Sequence, residues 1–224
     1  MKVSIVIPCY NEEETVRIIV NKVKDLVFPI EKEIIVIDDG STDRSFKNIK
    51  DIKGIKIIRH GKNIGKGAAI KTGLVFSTGD IFIIQDADLE LNPSEIINII
   101  NPIIKGESEV VYGSRNINKI KEGRQLSFYW GGLLVTWMTN ILYGTKLTDA
   151  PCGYKAFKIQ ILRDIEIKGK GFEFEPEITA KISKKGIKIQ EVPVSYVPRR
   201  EGKKINWRDG IKALGILVYW RFKS

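Results

Sequence analysis

Asp80-Ile81-Phe82-Ile83-Ile84-Gln85-Asp86-Ala87-Asp88-Leu89-Glu90 decides how the rest of the chain is read. An apolar run short enough for a buried strand ends in two carboxylates one residue apart, with a third acidic side chain two residues further on. In extended backbone residues i and i+2 point the same way, so Asp86 and Asp88 present oxygens to a common point, with Glu90 behind them. Oxygen-only ligation suits a hard divalent cation, magnesium or manganese, which keeps positions open for substrate phosphates. A plainer role is also open to these acids: Asp88 as the cap of the next helix and Asp86 facing water.

Outward from that stretch the chain alternates between strand and helix. Short apolar runs predict strands at 3–7, stopped by Pro8, at 33–37, ending in Asp38-Asp39-Gly40-Ser41, and at 55–59, 80–85 and 109–112. Between them, a helix opens at Asn11 as its cap, with Glu12, Glu13 and Glu14 near its positive end; Val16, Ile19, Val20, Val23 and Val27 keep helical spacing. Further helices are expected at 41–50, 65–77 and 93–104. Such alternation implies right-handed crossovers and an α/β fold, a mostly parallel sheet with helices on both faces. Ligands of such sheets sit beyond the carboxyl ends of the strands, which gathers residues 9–12, 38–41 and 86–90 on one rim.

Past Arg115 the pattern changes. Residues 116–124 read as a polar, basic loop, and 126–143 as a helix rich in Tyr129, Trp130, Trp137 and Tyr143. A compact turn at 148–154 precedes a short strand at 155–158, a helix at 175–184, a strand at 187–192, a basic segment at 196–204 and a final helix at 207–222. Nothing divides residues 1–224 into more than one domain, and 1–115 and 116–224 read as its two halves.

With 43% hydrophobic and 9% aromatic residues, 224 residues bury a substantial core. The net charge of +10 points to an anionic partner: nucleic acid, a phosphorylated substrate or an acidic lipid surface. Cys9 and Cys152 are far apart, so neither a disulfide framework nor a zinc site is indicated, and a reducing cytoplasm is the simplest compartment. His60 is the only histidine and no G-x-S-x-G accompanies it, which argues against a Ser-His-Asp triad. Met1-Lys2 leads directly into the first strand without a long apolar signal region. The most apolar stretch, 128–143, is interrupted by Gly131, Gly132, Thr136, Thr139 and Asn140 and falls short of the roughly 20 residues a membrane span needs. The expectation is a soluble or membrane-surface protein.

Five motifs occur in order: Ile7-Pro8-Cys9-Tyr10-Asn11-Glu12, Asp38-Asp39-Gly40-Ser41, Asn63-Ile64-Gly65-Lys66-Gly67, Asp86-Ala87-Asp88 and Gly113-Ser114-Arg115. Over essentially its whole length the chain resembles a family 2 glycosyltransferase of the GT-A fold, and more narrowly the dolichol-phosphate mannosyltransferase and dolichyl-phosphate glucosyltransferase group. The resemblance implies a nucleotide-sugar donor (a GDP- or UDP-hexose carrying mannose or glucose), Mg2+ or Mn2+, and inversion at the anomeric carbon. It implies a nucleoside pocket of Pro8, Tyr10, Glu12, Asp38 and Asp39, with Asp86, Asp88 and Glu90 holding the metal against the diphosphate. Glu90 stands where close relatives carry glutamine.

The residues themselves support that chemistry. Departure of a nucleoside diphosphate builds negative charge, which a bridging cation and nearby Lys66 and Arg115 stabilise. Gly65-Lys66-Gly67 opening a helix offers backbone N–H groups to an anion, or is merely a glycine-punctuated helix start. If the acceptor is a polyprenyl (dolichyl) phosphate, its nucleophile is already an anion and no general base is needed; Arg115, Arg124, Arg199, Arg200, Lys203 and Lys204 are the candidate acceptor-binding cations. If the acceptor is a sugar or protein hydroxyl, a carboxylate base is required, and Asp149 is the candidate unless it serves only to cap the turn that follows it. The aromatic helix and the basic residues suit a peripheral position on the cytoplasmic membrane face, although core or dimer packing accounts for the aromatics equally. This reading takes no nucleic-acid partner. Against it stands a non-catalytic, basic nucleotide- or nucleic-acid-binding protein.

Overall fold

The computed structural model describes residues 1–118, 126–199, 204 and 207–223. The first half runs β1 (Lys2–Cys9), α1 (Val16–Asp25), β2 (Glu31–Asp38), α2 (Ser45–Ile49), β3 (Lys56–Arg59), α3 (Lys66–Phe76) and β4 (Ile81–Ile84). A 3-10 turn at Pro93–Glu95 continues into α4 (Ile96–Ile104), followed by β5 (Val110–Ser114). The second half runs α5 (Leu126–Tyr143), β6 (Lys155–Lys158), α6 (Ile159–Arg163), α7 (Phe174–Lys184), β7 (Ile189–Pro193) and α8 (Trp207–Phe222).

Among the described residues the strands form one seven-stranded sheet in the order β3-β2-β1-β4-β6-β5-β7. Strand alternation sends Ile5, Ile7, Ile34, Val36, Ile81 and Ile83 to one face, beneath the apolar sides of α1 and α4. Val6, Ile35, Ile37, Phe82 and Ile84 go to the other, beneath α3 and α7. Both faces are covered, as a mostly parallel sheet requires. The approach of α3 depends on Gly73, where a Cβ would stand 2.3 Å from Cγ1 of Val6. A third, smaller cluster of Val135, Ala180, Leu217 and Trp220 ties α5, α7 and α8 together.

Four strand pairs are parallel, and β6 runs antiparallel to both its neighbours, β4 and β5. The reversal follows from the connection. β5 ends on the rim, and β6 is entered from the same end, with the N–H of Gly113 donating to the carbonyl of Tyr154 at 2.9 Å. A strand that starts on the rim can only run away from it. The second half thus inserts its strands into the sheet of the first rather than forming a separate unit.

Two expected helix starts are corrected. Asn11 is not a cap: it has φ +48°, and α1 begins only at Val16, after Thr15. Residues 41–44 are not helical either, and α2 begins at Ser45. The reason is shared, because the two loops bond to each other. Asn11 N–H donates to Ser41 Oγ, Glu12 N–H to Ser45 Oγ, and Thr42 N–H to Asn11 Oδ1. Side chains that locally favour caps are spent across the rim instead.

At the opposite end of the sheet Glu33 anchors the strands. Burial would raise its carboxyl, but hydrogen bonds from Ser4, Thr78 and Lys56 outweigh that and hold it at about 2. A carboxyl depressed in the fold adds stability that is complete above its unfolded value and lost as pH falls through the folded one. Glu33→Gln is therefore expected to cost about 2 kcal/mol at pH 7. The difference should shrink between about pH 5 and pH 2, which urea unfolding at a series of pH values would show.

Candidate active site

The loops after β1, β2 and β4 meet on the rim, and the segment after β7 folds over them. Glu12, 8% exposed, lies at their junction. The Arg199 guanidinium donates to both its oxygens, at 3.0 and 2.9 Å, and Lys204 Nζ lies 2.5 Å from Oε1. Burial would raise the Glu12 carboxyl, but these two cations hold it below the usual range. Lys204 also donates to the carbonyl of Tyr10 and lies over its ring. Pro8, half-buried, ends just before this group. Arg199 further reaches Asp88 Oδ2 at 3.5 Å.

The strand ends at Ile84 and the backbone turns at Ala87-Asp88, yet Asp86 stays near enough for its charge to act on the Asp88 carboxyl. Lys66 Nζ lies 2.7 Å from Asp86 Oδ1. Gly153 allows the other side of Asp86 to be approached closely, since a Cβ there would stand 2.3 Å from Oδ2. Burial, then the charges of Asp86 and Glu90, push the Asp88 carboxyl up to about 7. A half-buried, oxygen-only pair that repels itself in this way fits a hard divalent cation, which would neutralise it. Glu90 is placed differently from its neighbours. Its oxygens accept from Arg199 N–H at 3.0 Å and Tyr196 hydroxyl at 3.1 Å, and its carbonyl accepts from Val197. It anchors the segment after β7, and among the described residues no three His, Cys, Asp or Glu side chains converge as a preformed metal cage.

Arg115 and Asp149 form a buried fork. Arg115 Nε and Nη2 donate to the two carboxylate oxygens at 2.6 and 2.7 Å, and the Arg115 N–H adds a third bond at 2.9 Å. Burial would raise the Asp149 carboxyl, but Arg115 outweighs it and holds the group below the usual range. A carboxylate saturated by a guanidinium is a poor proton acceptor. Nor does its side chain cap the following turn, where Cys152 N–H donates to the Asp149 carbonyl instead. The Arg115 guanidinium also lies 5.1 Å from the ring centre of Tyr196.

Asp38 and Asp39 are both buried and both engaged within the protein. Asp38 accepts from Ser41 N–H and pairs with Arg59 at 2.8 Å. Asp39 meets His60 Nδ1 at 2.6 Å and accepts from the N–H groups of Ile64 and Gly65. Beside them opens a cavity of about 470 Å³ lined by Gly40, Ser41, Thr42, Arg59, His60 and Gly61.

The N–H groups of Gly65, Gly67 and Ala68 at the start of α3 are taken up within the protein. Gly65 N–H goes to Asp39, Gly67 N–H to the carbonyl of Gly171, and Ala68 N–H to that of Lys170. The Lys66 side chain itself turns to Asp86 and Glu175. Of the expected acceptor-side cations, Arg115, Arg199 and Lys204 border the site, whereas Arg124, Arg200 and Lys203 lie outside the described residues. Two participants escaped the sequence reading: Glu175, 3.4 Å from Lys66, and the fully buried Lys155, 2.5 Å from Glu175. The available signal was a lysine at the head of a short apolar strand, which has to find an anion once buried.

The model of a family described as Glycosyl transferase family 2 matches residues 4–165. The chain is similar to the undecaprenyl-phosphate mannosyltransferase of Micrococcus luteus, 25% identical over 216 residues covering 90% of this chain and 86% of that one. It is also similar to the UDP-N-acetylglucosamine–dolichyl-phosphate N-acetylglucosaminyltransferase of Methanococcus voltae, 33% identical over 215 residues, 86% of this chain and 84% of that one. Among solved structures, glucosyl-3-phosphoglycerate synthase from Mycobacterium tuberculosis in complex with Mn2+, uridine diphosphate and phosphoglyceric acid superposes with a TM-score of 0.76. That match covers all of this chain and 79% of the other at 18% identity, a likeness of fold.

Proposed function

The chain belongs to glycosyl transferase family 2 and is a glycosyltransferase with the GT-A fold; from that premise we propose that it transfers a hexose from a GDP- or UDP-sugar to a polyprenyl phosphate, with inversion. The observation that carries this reading is the Arg115–Asp149 fork. The candidate base is already saturated by a guanidinium, and the rim acids Glu12, Asp86 and Asp88 are paired with the cations Lys66, Arg199 and Lys204. Such a site suits an acceptor that arrives ionised and needs charge neutralisation rather than deprotonation.

Asp86 and Asp88 are the residues that would hold Mg2+ or Mn2+, which when bound supplies positive charge against the departing diphosphate. Lys66 donates to that diphosphate from the α3 side. Arg199 and Lys204, which neutralise Glu12 and approach Asp88, move onto the phosphates of donor and acceptor as these enter. Arg115, fixed by Asp149, faces the acceptor phosphate.

The test is nucleoside diphosphate release from a panel of GDP- and UDP-sugars, with and without polyprenyl phosphate in detergent. Release from one donor that needs the lipid phosphate, and is lost in EDTA, is the expected result. Release that needs a saccharide instead would overturn the acceptor.

The same reading places the protein on the cytoplasmic face of a membrane. Among the described residues no helix is long and apolar enough to cross one. On α5, however, Trp130, Leu134, Trp137 and Ile141 recur at helical spacing and are exposed. On α8, packed against it through the Tyr143 hydroxyl and the Leu217 carbonyl, Trp207, Ile211, Val218 and Phe222 do the same, among Lys212, Arg221 and Lys223. Aromatic and basic residues together suit anionic headgroups. Replacing Trp130 and Trp137 by serine is expected to weaken co-sedimentation with phosphatidylglycerol-containing vesicles by about tenfold or more. Unchanged binding would remove the membrane from the account.

A further inference from the structure

One segment of the second half grips Lys66 at both ends. Glu177 accepts from the N–H groups of Lys168 at 2.9 Å and Gly169 at 2.6 Å, and Glu173 from that of Lys170 at 3.2 Å. The loop they fold gives its carbonyls at Lys170 and Gly171 to the first N–H groups of α3, at 2.8 and 3.2 Å. Gly67 makes the fit possible, because a Cβ there would stand 2.5 Å from the carbonyl oxygen of Gly169. The backbone at Lys66 is thereby fixed. Glu175, between the two loop-folding acids, holds the other end: its Oε1 lies 3.4 Å from Lys66 Nζ, and its Oε2 lies 2.5 Å from Lys155 Nζ.

Lys155 is fully buried, so neither donor nor acceptor reaches it. Its ammonium also donates to the carbonyls of Ala150, at 3.0 Å, and Cys152, and lies 4.5 Å from the ring centre of Tyr112. A cation so enclosed acts only on what surrounds it. On one side that is Glu175, and on the other the turn that carries Asp149. Lys155 on β6 and Glu175 on α7 both lie in the second half of the chain, and Glu175 falls outside the segment matched by the family model.

We infer that Glu175 is a positioning residue for the transfer: it holds the Lys66 ammonium away from sole pairing with Asp86 and directed at the donor diphosphate, with Lys155 as its fixed counter-charge. A lysine head on a flexible four-carbon stem settles on its nearest anion unless a second one competes. Asp86 at 2.7 Å and Glu175 at 3.4 Å are that pair of competitors. The inference rests on the reading that Lys66 faces the donor, and the experiment separates the two.

The test is a double-mutant cycle of Lys66→Gln and Glu175→Gln, read in kcat and in the dissociation constants of UDP and GDP with Mn2+, with thermal unfolding of each variant alongside. Lys66→Gln is expected to lower kcat by about 100-fold and Glu175→Gln by about tenfold. Because Glu175 acts through Lys66, the double variant should match Lys66→Gln alone in both readouts. Effects that multiply would show a merely structural Glu175 and overturn the inference while leaving Lys66 in place. A Lys66→Gln protein that binds both nucleotides and turns over normally would overturn the donor reading itself, and the inference with it. Where Glu175→Gln does not fold, because Lys155 is left without its anion, Glu175→Asp keeps the charge, shortens the reach to Lys66 and enters the same cycle.

Discussion

Asp149→Leu is expected to lower stability by about 3 kcal/mol, because it removes the carboxylate that takes three bonds from Arg115 at a site where Asp149 is 2% exposed. Asp149 is 2% exposed and the Arg115 side chain 22%, so water replaces little of what is lost. For a chain of this size that corresponds to a fall in Tm of about 6–12 °C. The double variant Arg115→Met with Asp149→Leu should recover much of it, since both members of the pair are then removed. Calorimetry of the three proteins checks this. A general base would behave in the opposite way, with little change in Tm and activity that titrates with the carboxyl.

Asp88→Asn is expected to abolish most turnover, by about 100-fold or more, while leaving the fold intact. The amide keeps the oxygen that accepts from Glu90 N–H at 3.1 Å, so the turn survives. It also removes one of three neighbouring acids, Asp86, Asp88 and Glu90, whose mutual repulsion is unfavourable without a cation. Tm of the free protein should therefore hold or rise, while Mn2+ binding, followed by electron paramagnetic resonance, falls. Retained turnover with unchanged Mn2+ binding would remove Asp88 from the site.

Much of this arrangement was legible in the sequence because its signals are local. Apolar runs ending in Cys9-Tyr10, Asp38-Asp39 and Asp86-Ala87-Asp88 announce parallel strands and place their ends on one rim. What the sequence hid lies in long-range pairing. Glu12 and Arg199 are 187 positions apart, and nothing near either one announces the fork between them. The same holds for Glu175 and Lys155, whose partnership exists only because β6 enters the sheet from the rim beside α7. Local rules also misled where the side chains were used elsewhere, as at Asn11, which reads as a helix cap but bonds across to Thr42. Glu90 shared the spacing of Asp86 and Asp88 yet turned to the segment after β7, because the backbone leaves the extended conformation at Ala87-Asp88 and Leu89 has φ +61°.

On the proposed reading the site transfers sugar to a phosphate without a general base. With a donor that supports turnover, nucleoside diphosphate release should be compared between a polyprenyl phosphate and the polyprenol of the same length, from pH 5.5 to 8.5. Turnover with the phosphate alone is expected, without dependence on protonation of Asp149, which acts by holding Arg115. Turnover with the alcohol that is lost on protonation of a carboxyl, and abolished in a folded Asp149→Asn protein, would contradict it.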